Sequence, residues 1–304
     1  MEQSWRQARS IFATMLSAPL FWLVVFFIVP MGVIWLYSFG ENRGIIDVAF
    51  TGTWSNYAHA FTPLYLGIFW KSIWISVLTT VLCLVIAFPV ALAITFAPEK
   101  VKPWLLLLIM LPFWTNLLIR TYALIAVLRH EGYINTLLGW GWGGLSHVTA
   151  MFGHPLGDFQ PLDLLYNNFA VVVGLVFVNL PFMVLPLYST LDRMDRSLLE
   201  ASLDLGAGHM KTLFNVVVPL SAPGIGSGIL ITFIPALGSY LTPDMLGGPD
   251  SQMIANIIES QFKGANNWPF GAALGFILVY MTFIGVAIQG IVESNARKRE
   301  GSRA

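Results

Sequence analysis

An all-α bundle that crosses a membrane six times is the architecture this sequence predicts, and three observations predict it. Hydrophobic residues fill 56% of the 304 positions and charged residues only 11%, a balance that soluble globular chains do not carry. Six apolar stretches are each long enough to cross a hydrocarbon core, which takes roughly 20 helical residues. Basic residues gather in alternate connections between those stretches, as they do on the cytoplasmic side of membrane proteins.

The spans fall near 18–39, 70–97, 104–128, 167–191, 217–240 and 270–292, and the chain 1–304 reads as a single transmembrane domain. Arg6 and Arg9 precede the first span as they would in a signal peptide. That span is too long for one and no Ala-x-Ala site follows, so it reads as an uncleaved anchor. Pro30, Pro89, Pro112, Pro181, Pro186, Pro223 and Pro235 all fall inside spans. Neighbouring helices can re-satisfy the carbonyls that proline frees, so these positions imply a packed bundle.

Orientation follows from charge. With the N-terminus inside, the inner segments hold eleven of the sixteen basic residues, among them Lys100, Lys102, Arg193, Arg196, Lys211 and Arg303. Both termini are therefore expected in the cytosol. A formal net charge of zero gives no footprint for nucleic acid. The single cysteine, Cys83, lies in an apolar run and cannot form a disulfide within the chain.

No catalytic constellation is present. The histidines are scattered without metal-ligand spacing. Gly206-Ala207-Gly208 lacks the Gly-Lys-Ser/Thr of a phosphate-binding loop. The residues therefore do not read as an enzyme, with no metal or cofactor site expected on this chain; if energy comes from ATP, another chain must bind it.

Three outer connections remain, at 40–69, 129–166 and 241–269. The second is long enough to need structure of its own, so a short surface helix is expected there. Trp140 and Trp142, set among glycines, suit interface anchors.

Within the spans, Arg120 stands roughly 12 Å from the outer end of a straight third helix. A charge there needs a partner or a wet cavity. Two readings stand: a structural arginine, snorkelling outward or bonded to carbonyls freed by a nearby proline, or a pathway charge. Asp244 also has two. If the fifth helix continues, Asp244 shares a face with Tyr240 and offers an ammonium group a carboxylate beside a ring; otherwise it caps a short helix. Glu259 is a further outer carboxylate, and Trp114 and Tyr122 are aromatic candidates along the same path.

The stretch 192–219 is the most ordered connection in the sequence. Leu198, Leu199, Leu203 and Leu205 recur at helical spacing, and Asp192, Arg193, Asp195, Arg196 and Asp204 supply a wet face. Gly206 and Gly208 then break the run, which predicts a helix, a tight bend that a Cβ would obstruct, and a second short helix. Such a knob suits a partner's groove.

Glu200, Ala201, Gly206 and Pro219 match in identity and spacing the EAA loop of bacterial ABC importer permeases, which this chain resembles. Ser202 replaces the second alanine, and Val216 and Val218 replace Ile and Leu. The resemblance implies that this loop couples to a cytosolic ATPase. A second resemblance narrows the subclass. Pro112-Phe113-Trp114-Thr115-Asn116, Ile119-Arg120-Thr121-Tyr122, Asp244-Met245-Leu246-Gly247-Gly248 and Trp268-Pro269-Phe270-Gly271 are similar to segments of spermidine/putrescine importer permeases. Relatives with the same skeleton carry aminoalkyl-phosphonates or opine-like solutes. The implied partners are a pair of ATP-binding cassette ATPases holding ATP and Mg, a second permease subunit, an outer-face solute-binding protein, a polyamine and the lipid of an inner membrane. The rival reading, an ion-coupled secondary transporter, would call for carboxylates deep inside the spans, where this sequence has none.

Overall fold

The computed structural model describes residues 9–43, 48–151 and 157–301. Arg6 and Arg303 of the expected inner basic set, and His154, lie outside them. In chain order the elements are α1 (Arg9–Leu23), a π turn (Val24–Ile28), α2 (Val29–Tyr37), β1 (Gly40–Asn42), β2 (Val48–Phe50), α3 (Ser55–Ala60) and α4 (Pro63–Thr95). There follow α5 (Lys102–Met110), a 3-10 turn (Leu111–Trp114), α6 (Leu117–Leu128), α7 (Tyr133–Met151), α8 (Asn168–Leu191) and α9 (Ser197–Asp204). The chain ends with α10 (His209–Thr212), a π turn (Leu213–Val217), α11 (Val218–Leu220), α12 (Ala222–Leu237), α13 (Leu241–Leu246), a 3-10 turn (Pro249–Ser251), α14 (Ile254–Lys263) and α15 (Trp268–Gly301).

Four helical runs are long and apolar enough to cross a membrane: Ala13–Tyr37, Pro63–Thr95, Asn168–Leu191 and Trp268–Ala287. Two further helix pairs are long and apolar enough only together and are sharply bent, Lys102–Trp114 with Leu117–Thr149 at 94° and His209–Leu220 with Ala222–Leu237 at 65°. Counting each pair once gives six. The spans expected at 104–128 and 217–240 are therefore not continuous rods. At the first break Thr115 is extended (ψ 147°) behind Pro112, and Asn116 restarts the helix by accepting from the Leu118 amide at 2.8 Å. At the second, Ser221 is flanked by Pro219 and Pro223, neither of which can donate a main-chain hydrogen bond. By contrast Pro89, Pro181 and Pro186 sit inside unbroken helices.

The chain divides into two compact units. In the unit of residues 9–66 with 257–281, β1 and β2 pair antiparallel, with Glu41 opposite Ala49. Phe39 contacts the rings of Trp35, Trp54 and Tyr57 at 5.1, 5.0 and 5.2 Å. The Trp35 indole N–H donates to the Tyr280 hydroxyl at 2.7 Å, tying α2 to α15.

In the unit of residues 67–256 with 282–301, α8 is the central post. Its most extensive helix partner is α12, where Gly224 and Gly228 lie directly on Thr190 and Met183 of α8; small residues let two helices in lipid approach closely. From α4, Cys83, Ala87, Ala91 and Ile94 form one buried cluster with Met183, Val184, Leu187 and Leu191. Ser76, Thr80 and Thr95 of α4 donate to carbonyls four residues earlier at 2.7 to 2.9 Å, so these buried hydroxyls carry no unmet bond. The long connection at 129–166 holds a helix of 19 residues, α7, which takes in the whole glycine–tryptophan run. Trp140 is 74% exposed on it.

Candidate functional site

The stretch 192–219 folds as a helix, a bend and a second helix. Asp195 accepts from the Ser197 amide at 3.0 Å, just ahead of α9, and that bond holds the Asp195 carboxyl below its ordinary range. Glu200 and Ala201 lie exposed on α9. The helix closes by two reversed bonds, Gly206 N–H to Leu203 O at 2.9 Å and Ala207 N–H to Ser202 O at 3.1 Å. This is the Schellman closure, which places a left-handed residue at the turn. Gly206 is that residue, at φ +80°. A Cβ there would meet nothing within 4 Å. The expectation that a Cβ would obstruct the bend is corrected: backbone conformation, and not a clash, demands glycine.

Past Gly208, α10 turns back, and the hydroxyls of Ser202 and Thr212 meet at 3.0 Å to pin the two helices. Leu205, Met210 and Phe214 are 89%, 71% and 64% exposed, an apolar tip with no cover from this chain. Pro219 is exposed on α11, next to the Ser221 bend. Beneath α9 a cavity of about 440 Å³ is walled by Leu92, Phe96, Leu203, Leu213, His209 and Glu200, among others.

The root of the loop is fastened to the turn between α4 and α5. Lys102 bridges Glu99 at 2.7 Å and Asp192 at 2.8 Å. The hydrogen bond from Lys102 is the main reason that the Asp192 carboxyl sits below its ordinary range. Arg196 donates to the Thr95 carbonyl at 3.3 Å, with its guanidinium 5.9 Å from the centre of the Phe96 ring. Sequence reading missed this clamp, since nothing in the spacing of residues 95, 102, 192 and 196 pairs them.

At the opposite end of α8 the Asn167 side chain accepts from the Ala170 amide at 3.0 Å and caps the helix. Tyr166, just before it, stands at φ +60°. The fifth helix ends at Leu237, so Asp244 and Tyr240 do not share its face. Tyr240 instead precedes α13, whose fourth residue is Asp244. Gly238, unable to hold a helix well, closes α12, and Pro243 then starts the next turn with no N–H to give. Asp244 is exposed, and its carboxylate has no hydrogen-bond or ion-pair partner among the described residues. It lines a cavity of about 240 Å³ with Tyr166, Pro243, Gly247, Gly248 and Gln252. Tyr240 does not line it. Glu259 belongs to the other unit and is bonded to Lys263 at 2.9 Å one turn on, so it is not a free carboxylate.

Arg120 is 8% exposed. Its Nη2 donates to the carbonyls of Thr115 at 3.0 Å and Phe113 at 3.3 Å, in the break behind Pro112, while its Nε is buried without a partner among the described residues. No carboxylate pairs with it among the described residues. The 94° bend also voids the depth expected from a straight helix. Trp114 and Tyr122 are 73% and 61% exposed around the same break.

The family model for the binding-protein-dependent transport system inner membrane component matches residues 84–298. The chain belongs to that family. A member is a transport component of the inner membrane and not an enzyme. The chain is 38% identical over 258 residues to the spermidine/putrescine transport system permease protein PotB of Salmonella typhimurium, covering 84% of this chain and 85% of that one. It is 38% identical over 260 residues to PotB of Haemophilus influenzae, covering 86% of each. In fold it is similar to a chain in the crystal structure of a bacterial ABC transporter involved in the import of the acidic polysaccharide alginate, at TM-score 0.72 and 13% identity, covering 95% of this chain and 96% of that one.

The match to the inner membrane component family takes in both ends of α8, the loop of α9 and α10 and the cavity beside Asp244. Among the described residues no three His, Cys, Asp or Glu side chains gather as a metal site. Within this family member, Tyr166, Pro249 and Gln252 are the pocket residues that sequence reading left out. A tyrosine ahead of a helix-capping asparagine looks like ordinary loop in a sequence, and only the return of α13 brings it beside Asp244.

Proposed function

We propose that this chain is one permease half of an ATP-driven importer that carries polyamines, spermidine or putrescine, across the inner membrane. The observation that carries the reading is the 38% identity, over 84% and 86% of this chain, to two spermidine/putrescine permeases. Both termini and the 192–219 loop face the cytosol, in keeping with the basic residues of the inner segments. There the exposed tip of Leu205, Met210 and Phe214, with Glu200 beside it, enters a groove of the partner ATPase. ATP and Mg are bound by that partner. A solute-binding protein delivers the amine on the outer face, and a second permease subunit completes the path.

The loop can transmit force because it is stiff and fastened. The Schellman closure and the Ser202–Thr212 contact make α9 and α10 move together. Lys102, Asp192 and Arg196 join that movement to α4, α5 and α8. At the far end of α8, about 36 Å away at 1.5 Å per residue over its 24 residues, Asp244 offers a free carboxylate to a cation.

The test is uptake of labelled putrescine and spermidine by the assembled complex in vesicles, with an active or an ATP-hydrolysis-dead ATPase. ATP-dependent accumulation of either amine is expected. Uptake indifferent to the ATPase would sink the importer reading, and a working complex that carries neither amine would sink the substrate. A reporter active only outside the cytoplasm, fused after Ala304, is expected to stay silent; a signal would reverse the assigned orientation.

A further inference from the structure

The small cavity at the start of α8 has a composition that the polyamine reading does not by itself predict. It is formed by three stretches: Tyr166 before α8, Pro243 and Asp244 in α13, and the turn from Gly247 to Gln252. Its one charge is the Asp244 carboxylate, which is exposed and unpartnered among the described residues. Its one ring is Tyr166, 62% exposed. At about 240 Å³ it has room for one alkylammonium head with a few methylenes.

The ring is held in place at a conformational cost. Tyr166 adopts φ +60°, a region that bulky residues seldom occupy. Its amide donates to the Leu246 carbonyl at 3.0 Å, the last residue of α13. Gly248 packs so closely on the Tyr166 carbonyl that a Cβ would collide with it, while its own carbonyl accepts from Ser251 at 2.9 Å. Main-chain bonds thus hold the backbone that carries Tyr166 against the end of α13, and among the described residues the ring has no aromatic or hydrogen-bond partner. Strained residues held by their surroundings mark functional positions.

We infer that this cavity is an ammonium-selecting subsite at the outer mouth, in which Asp244 supplies the charge and the Tyr166 ring, not Tyr240, supplies the cation–π face. A primary ammonium seated there gains Coulomb attraction from the carboxylate and quadrupole attraction from the ring, which together offset lost hydration. Gln252, exposed on the rim, is placed to accept one of the remaining N–H groups through its amide oxygen. The site takes one end of a diamine or triamine and leaves the other free to lead into the bundle. The inference rests on the polyamine reading above.

The test measures putrescine uptake kinetics in the complete complex with Tyr166→Asn, Tyr166→Phe and unmodified chains. Asparagine tolerates the left-handed backbone, so the first variant removes the ring without forcing the turn. It is expected to raise KM for putrescine roughly threefold to thirtyfold with kcat little changed, while Tyr166→Phe, which keeps the ring, stays near the unmodified value. As a second measurement, Gln252→Cys is labelled with a charged thiol reagent; Cys83 is fully buried and stays silent. Putrescine is expected to slow the labelling. An unmodified complex that transports putrescine, with Tyr166→Asn unchanged in KM or with labelling indifferent to the amine, overturns the subsite and leaves the importer standing. A complex that transports no amine removes the reading beneath it.

Discussion

The two ends of α8 present opposite kinds of site. At its C-terminal end the loop of α9 and α10 is one contiguous stretch, exposed and apolar at its tip, with its shape fixed by local bonds. At its N-terminal end the pocket is gathered from residues 166, 243–244 and 247–252, is small, and holds a single free carboxylate. A surface built to be gripped by a protein can be local, because a stiff protruding shape is all it needs. A surface built to recognise a small cation must converge on it from several directions, and convergence requires tertiary structure.

The sharpest way to break that contrast is at Gly206. Gly206→Val forces a β-branched residue into the left-handed region, at a cost of about 1–2 kcal/mol or more, and undoes the Schellman closure. Uptake and ATPase co-purification are expected to collapse while membrane insertion persists; Gly206→Asn, which tolerates that region, is expected to keep most activity. Normal transport by the valine variant would remove the loop from coupling.

Next in size is the other end. Asp244→Asn is expected to lower amine uptake about 5- to 150-fold, the equivalent of roughly 1–3 kcal/mol for one charge-assisted contact, with ATPase co-purification retained. Unchanged uptake at low amine concentration would reduce Asp244 to a helix residue, and the contrast would lose its recognition half.

The clamp at the loop's root gives a smaller, pH-dependent effect. Since Lys102 depresses the Asp192 carboxyl in the folded state, the bridge is fully stabilising above the ordinary carboxylate value near 3.9. It is lost as pH falls through the depressed folded value. Melting curves should show Asp192→Asn less stable than the unmodified chain at neutral pH, with the gap closing in strong acid. A gap that widens in acid would mean that the bridge does not hold the loop.

The smallest effect belongs to Ser202. Ser202→Ala removes its hydroxyl contact with the largely buried Thr212, costing about 1 kcal/mol, and restores the alanine usual in the EAA pattern. Less than a fivefold loss in uptake is expected; a collapse like that of Gly206→Val would mean that the hydroxyl pair, and not the turn, carries the stiffness.

The legibility of these features followed the same division. Composition and the length of apolar runs reach the fold class because a bilayer demands about 20 apolar residues of each spanning helix regardless of neighbours. Residues 200–219 could be read because capping, glycine turns and amphipathic spacing act within a few residues of one another. The sequence by itself determined the six-span bundle, the loop and its bend, and a carboxylate at Asp244. Tertiary structure decided that two helix pairs bend by 94° and 65°, that Lys102 of α5 meets Asp192 beyond α8, and that Tyr166, and not Tyr240, lines the cavity with Asp244. The reason is range: hydrophobic length, turn chemistry and capping are settled by adjacent residues, whereas a charge's partner and a pocket's walls depend on where the bundle brings segments that lie about 80 positions apart in the chain.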